Sequence, residues 1–444
     1  MTRFLEVTLP AKLEQLLLPG AGLVLIFATL TFGATPPWAR ATTELSVLAL
    51  LGVWLLAGVL RGELNFRLPS LSYPILAIFL LASLQAFARF SVYPPATRQE
   101  VWELLAVGAF FFLLHNQLTS AHRLGHFANG LLIFAFAVAV FGILQSLSYN
   151  GKIYWNWESP QGGTPFGPFI NRNHYAAWVL MLIPLAWIKA SQRHRRRETQ
   201  IFWGLVLFTL GISVPLSLSR AGLVLFVLSF PLYWMLSRRH RGSRGWAPLL
   251  ALGVVLLAAL ATLALDTGRV VPRWETLSKL FSRPEEVDRY RWQIWRDTGA
   301  MIGDHLWVGS GLETFGVLSD SYRTFYSNQK WMQAHNDYLQ WLAETGLVGA
   351  ALALWFLFVL WRTAAEKLRL AAPGPQRQLV AGALTGCLLV LLHSLVDFPL
   401  RIPANALLFF ALLAVITAPA TGAVLGADPV RDREPVGHAE FRVV

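Results

Sequence analysis

The sequence is poor in cysteine and in charge. A single cysteine, Cys387, stands among 444 residues, so no disulfide can form within the chain and no thiolate metal site is available. Only 14% of the residues are Asp, Glu, Lys or Arg, against 55% hydrophobic, and mean hydropathy is +0.49. So little polar surface cannot cover a soluble globule that buries this many apolar runs. An Asp-x-Asp pair is also missing, and Glu285-Glu286-Val287-Asp288, the nearest acidic group, reads as solvated loop charge. Metal chemistry is therefore poorly supported. The lack of a Gly-x-Ser-x-Gly elbow argues against a Ser-His-Asp hydrolase. Gly309-Ser310-Gly311 follows no strand and has its third glycine misplaced, which excludes a dinucleotide fingerprint. No internal period stands out, unlike the two related halves of many secondary transporters.

What the chain does have is apolar residues in blocks of roughly twenty. They fall near residues 15–32, 43–60, 72–90, 101–114, 127–147, 175–188, 201–217, 221–236, 247–265, 338–361, 378–396 and 404–420. The expectation is an all-α, polytopic integral membrane protein of about twelve transmembrane helices. Helices one to nine would occupy residues 1–265. A large outward loop with short helices would cover 266–337, helices ten to twelve 338–425, and a disordered cytoplasmic tail 426–444. Short loops rich in Lys and Arg, at 189–197, 238–244 and 362–377, alternate as cytoplasmic loops should and set both termini inside. The net charge of +12 then reflects topology and anionic lipid, not nucleic acid. The first apolar segment runs into Ala34-Thr35-Pro36-Pro37-Trp38-Ala39, which reads as a retained helix rather than a cleaved leader.

Within the large loop, Arg273 to Phe281 has helical spacing suited to an interface, and Asp288 to Ile302 reads as a second short helix. The loop from Tyr149 to Tyr175 is rich in aromatics, which the interfacial belt explains, with sugar stacking on Trp155 and Trp157 the lesser reading.

Chemistry concentrates at Ala334-His335-Asn336-Asp337-Tyr338, where the loop ends and an apolar helix begins. His335 is held by a rigid element yet reachable from outside, and imidazole is suited to act as a neutral base. Asn336 or Asp337 can cap the helix. Arg220, in the very short connection Ser217-Leu218-Ser219-Arg220-Ala221-Gly222, must snorkel to water or pair with an anion. Arg172, Arg289 and Arg291 are further outward arginines whose planar forks match phosphate oxygens. At the end of the eleventh run, His393 and Asp397 share a helix face, and an ion pair between Asp397 and Arg401 is the favoured reading.

Several of these motifs together resemble the O-antigen ligase and polymerase superfamily of bacterial envelope glycosyltransferases. They are Arg291-x-x-x-Trp295, Gly309-Ser310-Gly311-Leu312-Glu313-Thr314-Phe315, Ala334-His335-Asn336-Asp337-Tyr338-Leu339 and Glu344-Thr345-Gly346-Leu347-Val348-Gly349. The likeness runs over roughly residues 165–400, taking in Asn171-Arg172-Asn173-His174, Ser219 to Gly222 and Asp397-Phe398-Pro399-Leu400. It implies transfer of a glycan from an undecaprenyl-pyrophosphate carrier to an acceptor hydroxyl at the periplasmic face of the inner membrane. The acceptor would be a lipid A core, or a second carrier-linked glycan in a polymerase. His335 would be the general base and Arg220 and Arg291 would hold the diphosphate, with Arg172, Arg289, Asn336, Asp337, His174, Asp397 and Arg401 around them. An activated leaving group then needs only acceptor deprotonation and charge neutralisation, without metal or cofactor, and direct displacement would invert the anomeric centre. A lipid-linked oligosaccharide transporter is the alternative from another class.

Overall fold

The computed structural model describes residues 2–159, 163–191, 196–237, 247–264, 284–328, 330–370 and 374–419. Its helices are α1 (Thr2–Leu30), α2 (Pro37–Arg61), α3 (Ser72–Phe87), α4 (Pro94–Gln117), α5 (Ala121–Leu147), α6 (Arg172–Leu180), α7 (Ile183–Ser191), α8 (Arg197–Leu216) and α9 (Arg220–Ser237). They continue with α10 (Ala247–Ala264), α11 (Pro284–Asp304), α12 (Phe315–Tyr322), α13 (Asp337–Leu370), α14 (Pro375–His393) and α15 (Pro403–Thr417). No strand is formed among the described residues, only isolated bridges at Ile153–Trp157 and Phe166–Phe169.

Each apolar run of the sequence falls largely on helix, and among the described residues seven helices (α1 from Leu9, α2, α5, α8, α9, α13 and α14) are long and apolar enough to cross a membrane. Leu16, Leu23, Leu45, Leu354 and Phe358 stand exposed on α1, α2 and α13. Such a surface is stable only where the surrounding medium is itself apolar, which defines a multi-pass membrane protein. The core runs through the bundle, and α15 sits at its centre with nearly every residue buried, from Pro403 to Thr417.

The sequence departs from one helix per run at two places. The run 175–188 is two short helices, α6 and α7, because Pro184 has no N–H to donate and its ring excludes the preceding turn. The second break lies inside α13 at Gly346 (φ 62°, ψ −163°), a conformation open only to glycine. Leu347 N and Val348 N donate to Leu306 O and Trp307 O at 2.8 and 3.1 Å, while Ser310 N and Gly311 N donate to Ala343 O and Glu344 O, both at 3.0 Å. A Cβ on Gly346 would collide with the Trp307 carbonyl, and one on Gly309 with the Glu344 carbonyl. The two glycine motifs are thus the two sides of one backbone lacing, which anchors the loop to the helix that begins beside His335.

Two small clusters complete that anchoring. Ile294, Met301, Phe315, Ala334 and Ala343 join α11 and α12 to the start of α13. Ala82, Ala86, Val101 and Leu312 seat the same loop on α3 and α4. The helix expected at Asp288 to Ile302 is α11, longer at its start. The interfacial helix expected at Arg273 to Phe281, most of the basic loops at 189–197 and 238–244, and the tail 426–444 lie outside the described residues.

Gly346→Ala is expected to cost about 1–3 kcal/mol or more, combining a strained φ with a backbone collision. Thermal unfolding of the detergent-purified protein should fall by several degrees, and an unshifted curve would show that the kink accepts a side chain.

Candidate functional site

Asp397 gathers the site. Its Oδ1 accepts from His335 Nδ1 at 3.2 Å and from Phe398 N at 3.0 Å, and its Oδ2 accepts from Asn173 Nδ2 at 2.6 Å. Burial alone would raise this carboxyl, but the bond from His335 and the charges of His335, His174 and Arg291 hold it well below the usual carboxylate range. An ionised carboxylate only accepts, so Nδ1 of His335 is the donor in this bond. The His335 ring is gripped edge-on by Phe398 and Trp331, with centroids 4.9 and 5.8 Å away. His335 itself has φ of +52°, a strained conformation for a residue with a Cβ, and it persists because both ring and backbone are held.

Asn336 is the cap of α13: its Oδ1 accepts from Tyr338 N and Leu339 N at 3.0 and 3.1 Å. Asp337 instead binds Ser394, accepting from the hydroxyl through Oδ2 at 2.8 Å and donating its N–H to the carbonyl at 2.9 Å. The beginning of α13 is thereby tied to the end of α14.

Arg172 and Arg220 each occupy the first position of a helix. Asn171 caps α6, its side chain accepting from Asn173 N at 2.9 Å, and the Ser219 hydroxyl accepts from Gly222 N at 3.1 Å to start α9. A Cβ on Gly222 would lie 2.8 Å from that of Ala176, so this glycine lets α9 close on α6. The two guanidinium groups are then near enough for their like charges to interact. Two positive helix ends and two cations side by side make an environment that favours an anion. Arg291, on α11, donates to Val396 O at 2.6 Å and contributes to the field at Asp397. Arg289 belongs to the same helix. His174 is buried on α6 with its ring 4.8 Å from Phe398, and its carbonyl accepts from Asn405 Nδ2 at 3.2 Å.

One expectation is overturned. Asp397 makes no ion pair with Arg401, and α14 ends at His393, so Asp397 sits in the following turn rather than on the helix face. Arg401 turns the other way, donating to Glu313 Oε2 at 2.8 Å and Glu344 Oε2 at 2.7 Å, with Asp337 Oδ1 3.6 Å from its Nε. Burial opposes the guanidinium charge, but Glu344, Glu313, Asp337 and Glu100 raise its affinity for the proton above the ordinary arginine value. Glu344 also accepts from Phe315 N and Gln340 Nε2, both at 3.1 Å, and Gln340 Oε1 accepts from Ala334 N at 2.8 Å. This network braces the residue before His335.

Sequence reasoning gave no role to Asn173, Glu313 and Glu344, although all three stand in the quoted motifs, and it missed Gln85. Gln85 is buried in α3, and its Nε2 donates to Val308 O at 2.6 Å and Glu344 O at 2.8 Å. Only its presence inside an otherwise apolar helix signalled a role. No group of three or more His, Cys, Asp or Glu able to hold a metal occurs among the described residues; His122 and His126, with rings 4.0 Å apart on α5, are only a pair.

The site therefore joins a buried carboxylate, an imidazole bonded to it and arginines carried on α6, α9 and α11. Residues 205–354 match the family model described as O-antigen ligase. The resemblance read from the motifs therefore holds over that stretch, which contains Arg220, Arg291 and His335, while Arg172 and Asp397 lie outside it. The matched family is one of ligase- and polymerase-type glycosyltransferases of envelope polysaccharide synthesis. No curated protein matches the chain.

Because the Asp397 carboxyl is depressed in the folded protein, its contribution to stability is complete above the ordinary carboxylate range and is lost only as pH falls well below it. Wild-type melting temperatures should thus hardly reflect this group between neutral and mildly acidic pH. Asp397→Asn, which sets an amide against the Asn173 and Phe398 donors, should cost about 1–3 kcal/mol throughout that window. Arg401→Leu should cost more, about 3–5 kcal/mol, by leaving Glu344 and its neighbours as uncompensated buried charge. Melting curves across that pH range compare all three proteins.

Proposed function

We propose that the protein is a periplasmic-face glycosyltransferase that moves a glycan from an undecaprenyl-pyrophosphate carrier to an acceptor hydroxyl. In this reading the chain crosses the inner membrane about twelve times, and residues 266–337 form a periplasmic cap. The observation that carries it is the His335–Asp397 hydrogen bond set beside the positive starts of α6 and α9.

His335 Nε2 takes the acceptor's proton as the acceptor oxygen attacks the anomeric carbon. The bond from that carbon to the diphosphate breaks, and its electron pair leaves with the diphosphate. Arg172, Arg220 and Arg291, with Arg289 on the same helix as Arg291, neutralise the charge that develops there. Asp397 keeps the imidazole in the tautomer that can accept, and stabilises the imidazolium that results. Displacement in one step inverts the anomeric centre. Ligase-type transfer to a lipid A core is the reading taken forward, with polymerisation onto a second carrier-linked glycan as the alternative at the same site.

His335→Ala should lower transfer by about 10²- to 10⁴-fold in purified protein without loss of folding; unchanged turnover would reject the base assignment. Arg220→Lys should lose far more activity than conservation of charge suggests, because the two-point fork is gone. Turnover should survive chelator, and loss restored by magnesium would overturn the metal-free mechanism. Deleting the gene separates the branches: accumulated carrier-linked polymer marks a ligase, and single repeats mark a polymerase.

A further inference from the structure

Two apolar stripes climb to the seam between the bundle and the loop that carries α11 and α12. On α13 the exposed side chains Leu347, Leu354, Phe358 and Trp361 recur at helical spacing, and on α3 Tyr73, Leu76, Leu80, Leu84 and Phe87 do the same. Where the stripes end, the backbone of residues 306–310 is tied to both helices. Leu306 O and Trp307 O accept from Leu347 N and Val348 N on α13, Val308 O accepts from Gln85 Nε2 on α3, and Ser310 O accepts from Val92 N just beyond α3. The outside of this seam is apolar: Leu306, Trp307, Leu347 and Val348 are exposed, and so are Phe90, Val92 and Tyr93. Trp307, 70% exposed, is the largest of them.

Helix length says what covers this rim. Lys367, in the basic last turn of α13 with Arg369, lies 21 residues beyond Gly346. At about 1.5 Å per residue that stretch is about 32 Å long, against roughly 30 Å of bilayer hydrocarbon. A membrane that covers the α13 stripe therefore ends at Gly346, and Trp307 beside it falls where lipid chains give way to headgroups. An indole, apolar over its rings and carrying one N–H, favours that layer. The backbone bonds to Leu347 and Val348 fix the height of the 306–307 segment on α13.

We propose that the 306–308 turn is a membrane anchor for the loop, with Trp307 seated in the interfacial layer of the leaflet on the His335 side. Its partner is the lipid surface itself. The anchor goes beyond the transfer reading and holds whichever face of the membrane that side is. It sets the start of α13 no more than about 14 Å from the lipid boundary, because Asp337 lies nine residues before Gly346.

The test uses the full chain in nanodiscs of phosphatidylethanolamine and phosphatidylglycerol, with a nitroxide attached to Trp307→Cys. Cys387, the one native cysteine, is buried, and unsubstituted protein taken through the same labelling is the blank. Tyr326→Cys, at a position 86% exposed on the loop, is the water reference. Phe358→Cys, 12 residues and about 18 Å along α13 from Gly346, is the hydrocarbon reference. Relaxation by oxygen and by a water-soluble nickel complex gives the depth of each label. The label at 307 is expected about 5–10 Å into the boundary between headgroups and acyl chains, between the two references. Leu306→Cys should agree with it, which keeps the test decisive should the tryptophan variant fold poorly. A label at both positions as open to nickel as the one at 326, or as deep as the one at 358, overturns the anchor. No turnover is read, so failure of the base assignment at His335 leaves the depth result standing, and failure of the anchor leaves the base assignment untouched.

Discussion

Three segments far apart in the chain deliver a hydrogen-bond donor to one buried carboxylate. His335 arrives from the start of α13, Asn173 from the start of α6, and Phe398 from the turn after α14. A buried anion with fewer donors would be costly in a low-dielectric interior, and it would protonate rather than remain charged. With three donors it stays ionised, and an ionised Asp397 is what assigns the His335 proton to Nδ1. The orientation of the His335 ring is therefore a consequence of how α6, α13 and α14 meet. The strained φ at His335 belongs to the same picture, since a residue bonded on one side and packed by Phe398 and Trp331 on the other cannot relax.

A second charge system lies next to the first and serves a different purpose. Arg401 balances Glu313 and Glu344 and stands close to Asp337, joining the 309–316 segment, α13 and the turn before α15. Its charges are spent on one another, which makes it a brace rather than a reactive group. The Arg172 and Arg220 side of the site is arranged in the opposite sense, with like charges and helix starts brought together. The carboxylates thus gather around Arg401, while Arg172 and Arg220 lie near enough for their like charges to interact.

Much of the scaffold was readable before any coordinates, because lipid as solvent leaves a coarse signal. Each apolar run became helix, and Asn336 capped α13 from a position three residues before Leu339, where capping chemistry places it. The Pro184 break was harder to read, since prolines within membrane runs are often tolerated. Gly346 was noticed as part of a motif, but its reason was invisible: the kink exists to receive the Trp307 to Gly311 backbone, forty residues earlier in the chain. Gln85 in its apolar run, and Glu313 and Glu344 in their motifs, had no readable role because a polar residue carries no sign of its partner.

The sequence by itself determined an all-α membrane protein and the identity of the residues able to do acid–base and anion chemistry, because hydropathy and side-chain type are local properties. It also placed His335 at the mouth of α13, whereas Arg220, read as part of a short connection, proved to be the first residue of α9. Only the tertiary structure decided who pairs with whom. Asp397 could reach Arg401 four residues along or His335 sixty-two residues back, and the choice fell to His335 because α14 stops at His393 and turns the carboxylate toward α6 and α13 while Arg401 is drawn to Glu313 and Glu344. Pairing of that kind depends on helix ends meeting in space, and spacing along one chain does not encode it.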